Sequence, residues 1–202
     1  MPRKKALSDV AVLAAAGRVF GRVGPHRFTL ADVAEEAGLA PATLSQRFGS
    51  KRALLLAFAE HAASSARTPF ELAMIRVSEP LSALKAALGF ASSPLSSRRG
   101  LAHSLVFLIQ DWADKELRGH AARHARWTES SIRELLDSAV ALGQLRATDT
   151  ARLARALQAA WYGALIQWDI RGRGALGDWV GAVVDTLLEP HVVPTRQRGG
   201  GG

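Results

Sequence analysis

The chain has 202 residues, 48% of them apolar, and carries a formal net charge of +8 with no cysteine. That is enough chain for one or two domains with a real core, and too apolar for a disordered one. The lack of cysteine excludes a disulfide framework, thiol catalysis and cysteine-ligated zinc. The charge is unevenly placed: residues 1–67 hold ten Lys and Arg against five Asp and Glu, residues 68–193 fourteen against thirteen. A basic first third beside a nearly neutral remainder suits a DNA-binding head on a neutral body.

The opening MPRKKALSD is charged and has no apolar h-region, so no secretion signal is expected. No apolar stretch is long enough for a membrane span, and the expected compartment is the cytoplasm. Pro2 to Lys5 form a short basic arm that can touch phosphates or the minor groove. A first helix is predicted from the Ser8 N-cap to Val23, with Val12, Ala16, Val19, Phe20 and Val23 inward and Gly24-Pro25 as its stop.

Thr29 to Phe48, TLADVAEEAGLAPATLSQRF, reads as two short helices joined by a tight turn. Thr29 is an N-cap, and Leu30, Val33, Ala34 and Ala37 recur at i, i+3, i+4 and i+7. Gly38 stands where a helix stops in the left-handed conformation, and Pro41 where the next begins. Leu44 and Phe48 give the second helix its inward face. Ala42, Thr43 and Gln46 lie opposite, with Ser45 and Arg47 on the flanks. A packed core does not call for small and amide side chains there, whereas a surface entering the DNA major groove does. Ser50 then caps a third helix that places Lys51 in its first turn, where a cation opposes the helix dipole. A nearby phosphate accounts for that lysine.

Phe28-Thr29, Val33-Ala34, Ala37-Gly38-Leu39, Ala42-Thr43-Leu44, Phe48 and Ser50-Lys51 together resemble the N-terminal domain of TetR-family transcriptional regulators. The resemblance covers roughly the first third of the chain at motif level, and the rest only in length and helical plan. The family usually has a phosphate-contacting tyrosine after the apolar residue of the recognition helix, and Ser45 stands there instead. The expected fold is all-α, with about nine helices: a three-helix helix-turn-helix domain over residues 1–52 (motif 29–48), and a helical effector-binding and dimerisation domain over 53–193. A disordered tail is expected over 194–202. Expected DNA contacts are Thr29, Ala42, Thr43, Ser45, Gln46, Arg47 and Lys51.

The third helix is expected to run to about Arg67-Thr68-Pro69 and to act as a lever between the two domains. Further helices are predicted at about 70–77, 80–91, 97–112, 115–142, 149–171 and 175–188, with no strand alternation and no repeat. In 149–171, Leu153, Leu157, Trp161, Ala164, Leu165 and Trp168 form a broad apolar face, and Ala156, Ala159, Gly163 and Ile166 a second stripe of smaller residues. The next helix adds Leu176, Trp179, Val180, Val183, Val184, Leu187 and Leu188. Residues 149–188 are therefore expected to form a homodimer through a four-helix bundle, with an all-internal core as the alternative.

The body also carries Phe107, Trp112, Trp127, Trp161, Tyr162 and Trp168, with His103, Gln110 and Gln167 as polar groups among them. In TetR-like proteins this region binds an effector. Phe107, Trp112, Trp161 and His103 are the candidates here, although any one aromatic also fits plain core packing. His120 and His124 have a metal-like spacing, but Arg118, Arg123 and Arg126 beside them favour a solvated basic face. Asp111 and Asp114 are a carboxylate pair without support. There is no phosphate-binding glycine loop, G-x-S-x-G or H-E-x-x-H, so no enzyme activity, metal or cofactor is expected. The sequence points to a ligand-responsive regulator, as a rule a repressor in this family, binding a palindromic DNA operator as a dimer and released by a small apolar effector. The alternative is a helical carrier or enzyme with the N-terminal helices as scaffold.

Overall fold

A computed structural model of the chain describes residues 7–24, 27–93, 114–171 and 173–194. Helix α1 (Asp9–Val23) begins at Ser8, whose hydroxyl accepts from the Ala11 N–H at 3.3 Å. Helix α2 (Leu30–Glu36) begins on a reciprocal capping box. The Asp32 N–H donates to Thr29 Oγ1 at 3.1 Å, and the Thr29 N–H donates to the Asp32 carboxylate at 2.7 Å. Two N–H groups that the helix start would leave unpaired are satisfied in this way.

Gly38 ends α2 with φ +67°, and the Leu39 N–H reaches back to the Ala34 carbonyl at 2.8 Å. A side chain is rarely tolerated at that φ, which is why glycine occupies the turn. Helix α3 (Pro41–Phe48) follows with proline in its first turn, and helix α4 (Lys51–Ser64) starts at the Ser50 cap.

The sequence suggested that α4 would continue to about Arg67. It stops at Ser64, and α5 (Thr68–Arg76) restarts after a short turn. Pro69 has no N–H to donate to the carbonyl four residues back, so the ladder is cut there and proline takes a first-turn position instead. Then come α6 (Pro80–Ser92), α7 (Lys115–Ala141), α8 (Thr150–Arg171) and α9 (Leu176–Leu188), ending in a 3₁₀ turn over Glu189–His191. Among the described residues there is no strand, only an isolated antiparallel bridge between Leu145 and Val192. The expected helix at 97–112 and most of the tail expected at 194–202 lie outside the described residues.

Two cores organise the chain. The first gathers Val12, Ala16, Val19 and Phe20 of α1 with Phe28, Val33, Ala34, Leu44 and Leu54. Phe20 packs at 4.5 Å from Phe28 and edge-on at 4.9 Å from Phe58. The second unites α5 to α9 around Phe70, Leu84, Leu88, Ile132, Leu157 and Leu165. Helix α4 links head and body: Leu54 belongs to the first core, and the helix runs along α7.

Candidate nucleic-acid interface

Leu44 is the one fully buried residue of α3. Burying a leucine contributes roughly 1.5–3 kcal/mol, so this side chain, with half-buried Phe48, decides how the helix docks. Everything else on α3 follows from that choice. Ala42, Thr43, Ser45 and Gln46 are all exposed. Thr29 is exposed too, its oxygen already accepting the α2 cap bond. Ion pairs from Arg18 at 2.7 Å and Arg22 at 2.8 Å to Glu36 hold α2 against α1.

Two candidates have partners within the head that the sequence did not show. The Arg47 guanidinium turns back toward α1, donating to the Leu7 carbonyl at 2.8 Å and pairing with the Asp9 carboxylate. Lys51 places its ammonium 4.4 Å from the centroid of the Phe28 ring. It stands at the start of α4 beside the start of α2, where its charge helps hold the Asp32 carboxyl below its usual range. The larger causes of that shift are hydrogen bonds from Thr29.

In the body, Trp161 is the one effector candidate of four that lies among the described residues. Phe107, Trp112 and His103 lie outside them, as do Gln110, Asp111 and the basic arm. Trp161 is buried, stacks on Tyr162 at 4.9 Å, and donates its indole N–H to Ser92 Oγ at 2.9 Å. That serine in turn donates to the Leu88 carbonyl at 2.7 Å. Gln158, also buried, donates to the Ala125 carbonyl at 3.0 Å. Burial pushes the Tyr162 phenol up, opposed by a hydrogen bond with Gln158. Ser92 and Gln158 escaped the sequence reading because nothing local marks them. Their partners lie 69 and 33 residues away.

Trp127 and Gln167 are exposed, the former under the Arg67 guanidinium at 5.1 Å. Trp168 pins the turn into α9 through a bond to the Gly174 carbonyl at 3.1 Å. The two histidines do not share a solvated face. Burial pushes the His124 imidazole down, while His120 Nδ1 meets the Arg123 guanidinium at 2.6 Å. Among the described residues no three acidic or imidazole side chains gather as a metal site. No helix among them is long and apolar enough to cross a membrane.

The broad apolar face of α8 needs no second subunit. Leu153, Leu157, Trp161, Ala164, Leu165 and Trp168 are all buried within the protomer. Left outside is the stripe of Ala156, Ala159, Gly163 and Ile166.

An exposed helix docked by one leucine behind a glycine turn is the geometry of a helix-turn-helix reader. Residues 12–58, spanning that unit, match the model for bacterial regulatory proteins of the tetR family. That segment is a TetR-family DNA-binding domain. No curated protein matches its sequence significantly. Solved structures resemble the regulator over nearly its whole length. SmeT, the repressor of the Stenotrophomonas maltophilia multidrug efflux pump SmeDEF, is 22% identical, covering 97% of this chain and 96% of its own, with a TM-score of 0.69. Reduced NemR of E. coli is 17% identical, covering 92% and 98%, with a TM-score of 0.73. FadR of Bacillus subtilis, in complex with stearoyl-CoA, is 16% identical, covering 89% and 97%, with a TM-score of 0.72. At these identities the likeness establishes the fold of the regulator and nothing finer. The carrier-or-enzyme alternative gives way to a DNA-binding regulator, because the family match falls on the reading head itself.

Proposed function

We propose that this TetR-family regulator acts in the cytoplasm as a dimeric repressor that binds a palindromic operator and is released by a small apolar effector. The observation that carries the reading is the exposed face of α3, where Ala42, Thr43, Ser45 and Gln46 stand clear of a helix fixed by Leu44. Gln46 reads a base edge, Ala42 and the Thr43 methyl meet thymine methyls, and Thr29, Ser45, Arg47 and Lys51 serve the backbone.

Dimerisation runs through 149–188. A Cβ built on Gly163 meets nothing within 4 Å among the described residues, so none of them accounts for a glycine in mid-helix. Beside it Trp179, Ala182, Val183 and Leu187 of α9 line an open groove of about 590 Å³ with Ala160 of α8. The effector site lies around Trp161, with Phe107, Trp112 and His103 as its further walls. That FadR holds stearoyl-CoA supports an apolar effector in a body of this fold. A gel-shift titration with DNA from upstream of the chain's own gene tests the reading. A saturable shift of one dimer per site is expected. Failure to prefer that DNA, or a site selected from random DNA, over bulk sequence ends it.

A further inference from the structure

We propose that Arg27 binds the DNA backbone, forming with Lys51 a phosphate site where the start of α2 meets the start of α4. This rests on the DNA-binding reading above. The turn before α2 alternates outward and inward: Arg27 is exposed, Phe28 buried and Thr29 exposed. Thr29 is extended, with φ −121° and ψ 164°, and in extended chain residues two apart leave on the same side. Arg27 therefore stands on the Thr29 side, while Phe28 turns into the core of the head. The Lys51 ammonium lies 4.4 Å from the centroid of that Phe28 ring, which brings a second cation to the same turn.

The other arginines of the head have internal partners. Arg18 and Arg22 pair with Glu36, Arg47 with Asp9, and Arg52 with Asp114 and Glu116. Among the described residues no hydrogen bond, ion pair or ring contact engages Arg27. A phosphate can take its guanidinium without breaking a bond inside the protein. Charge gives a second reason. Asp32 stands at the same joint, its carboxylate held by the Thr29 N–H at 2.7 Å, and it offsets Lys51. With Arg27, two cations face one carboxylate and the joint is positive; without it the joint is neutral. Only the first draws in a phosphate on net charge. The planar guanidinium also meets two phosphate oxygens at once, which an ammonium does not.

The test follows binding of the full chain to an operator selected from random DNA, by fluorescence anisotropy from low to high salt. Arg27→Gln, Arg27→Lys and a control on the body, Arg126→Gln, are compared with the parent, and melting curves confirm that each is folded. Each phosphate that is no longer neutralised makes the dependence of log K on log salt shallower by about 0.9. Arg27→Gln should show that change for each subunit, weaken all sequences about equally and leave the selected sequence as it was. Arg27→Lys should keep the parent's salt dependence and lose part of its affinity. Arg126→Gln removes the same charge from an exposed position on α7 and should leave the salt dependence alone. Operators carrying a single uncharged methylphosphonate then locate the contact. The parent should lose affinity at one position in each half-site where Arg27→Gln loses less. A salt dependence in Arg27→Gln equal to that of the parent or of Arg126→Gln overturns the proposal, as does a methylphosphonate profile identical to the parent's. A parent chain that binds no selected DNA fails the regulator reading itself, a result distinct from an unaltered salt dependence.

Discussion

The Arg52 guanidinium and the Asp114 carboxylate meet at 3.0 Å, joining the first turn of α4 to the N-cap of α7. Glu116 pairs with the same guanidinium. Asp114 has two tasks, since it also accepts the backbone N–H groups of Glu116 at 2.9 Å and Leu117 at 3.3 Å. The Leu117 bond is the first cause holding its carboxyl below the usual range, and Arg52 adds to it. Beyond the end of α4, Arg67 at the N-cap of α5 pairs with Glu134 of α7 at 2.8 Å. The start of α4 is thus fastened to the start of α7 by charge.

The pH dependence follows from three carboxyls. Asp114, Asp32 and Glu36 are all shifted down, Asp32 chiefly by the Thr29 N–H and Glu36 chiefly by Arg18. A carboxyl with a folded-state pKa below its unfolded value stabilises the fold above the unfolded value. That contribution is lost as pH falls through the folded one. The melting temperature should therefore drop below about pH 4, the ordinary carboxylate range. Asp114→Asn should shallow that drop. An unchanged acid limb in this variant would show that the seam carries no linkage.

A second, milder limb is expected from His124. Burial lowers its pKa, so the unfolded chain takes up the proton first. Stability present above about pH 6.5 is then lost progressively as pH falls toward the folded value. His124→Gln should flatten the stability profile between about pH 7 and 5, measured by urea unfolding at each pH. Equal slopes in variant and parent would refute it.

Ser92→Ala tests the core of the body. It leaves the buried Trp161 indole N–H without its acceptor. An orphaned buried donor costs about 1–3 kcal/mol, so a loss of that size is expected in chemical denaturation. Ser92→Thr keeps a hydroxyl and separates the missing bond from mere loss of volume. A neutral Ser92→Ala would mean that water replaces the serine.

The reading head was legible because its determinants are local. The Thr29 cap, Gly38, Pro41 and the Leu44–Phe48 spacing each act within one turn or two, and each has its expected form. What sequence periodicity lacks is the identity of the partner. It marks Leu153 to Trp168 as apolar, but not that α6, α7 and α9 already cover that face. The same limit hid the partners of Arg47, which lie 38 and 40 residues back. His124 was drawn onto a basic face by its arginine neighbours in sequence, whereas in α7 it is half-buried.

Gly163→Glu tests the interface. Exposed Ala156, Ala159 and Ile166 with half-buried Gly163 form a stripe that suits the close approach of a second helix, and a glutamate there would bury a charge on association. The variant should be monomeric by light scattering at micromolar concentration, with an unchanged helical circular dichroism spectrum and no operator binding. A parent chain that is itself monomeric at that concentration would contradict the dimer.

The last prediction separates readers from anchors. Leu44 fixes the buried side of α3, which leaves Gln46 directed away from the core. A glutamine paired with an adenine edge is worth about 1–3 kcal/mol of discrimination. Gln46→Ala should therefore relax preference at one position in each half-site of an operator selected from random DNA, with a modest loss of affinity. Lys51 stands apart from α3, at the start of α4 over the Phe28 ring. Its proposed role there is to serve the DNA backbone. Lys51→Ala should weaken all sequences about equally and lower the salt slope by about 0.9 per subunit. The selected sequence should stay the same in that variant. An operator unchanged by Gln46→Ala but altered by Lys51→Ala would reverse the two roles.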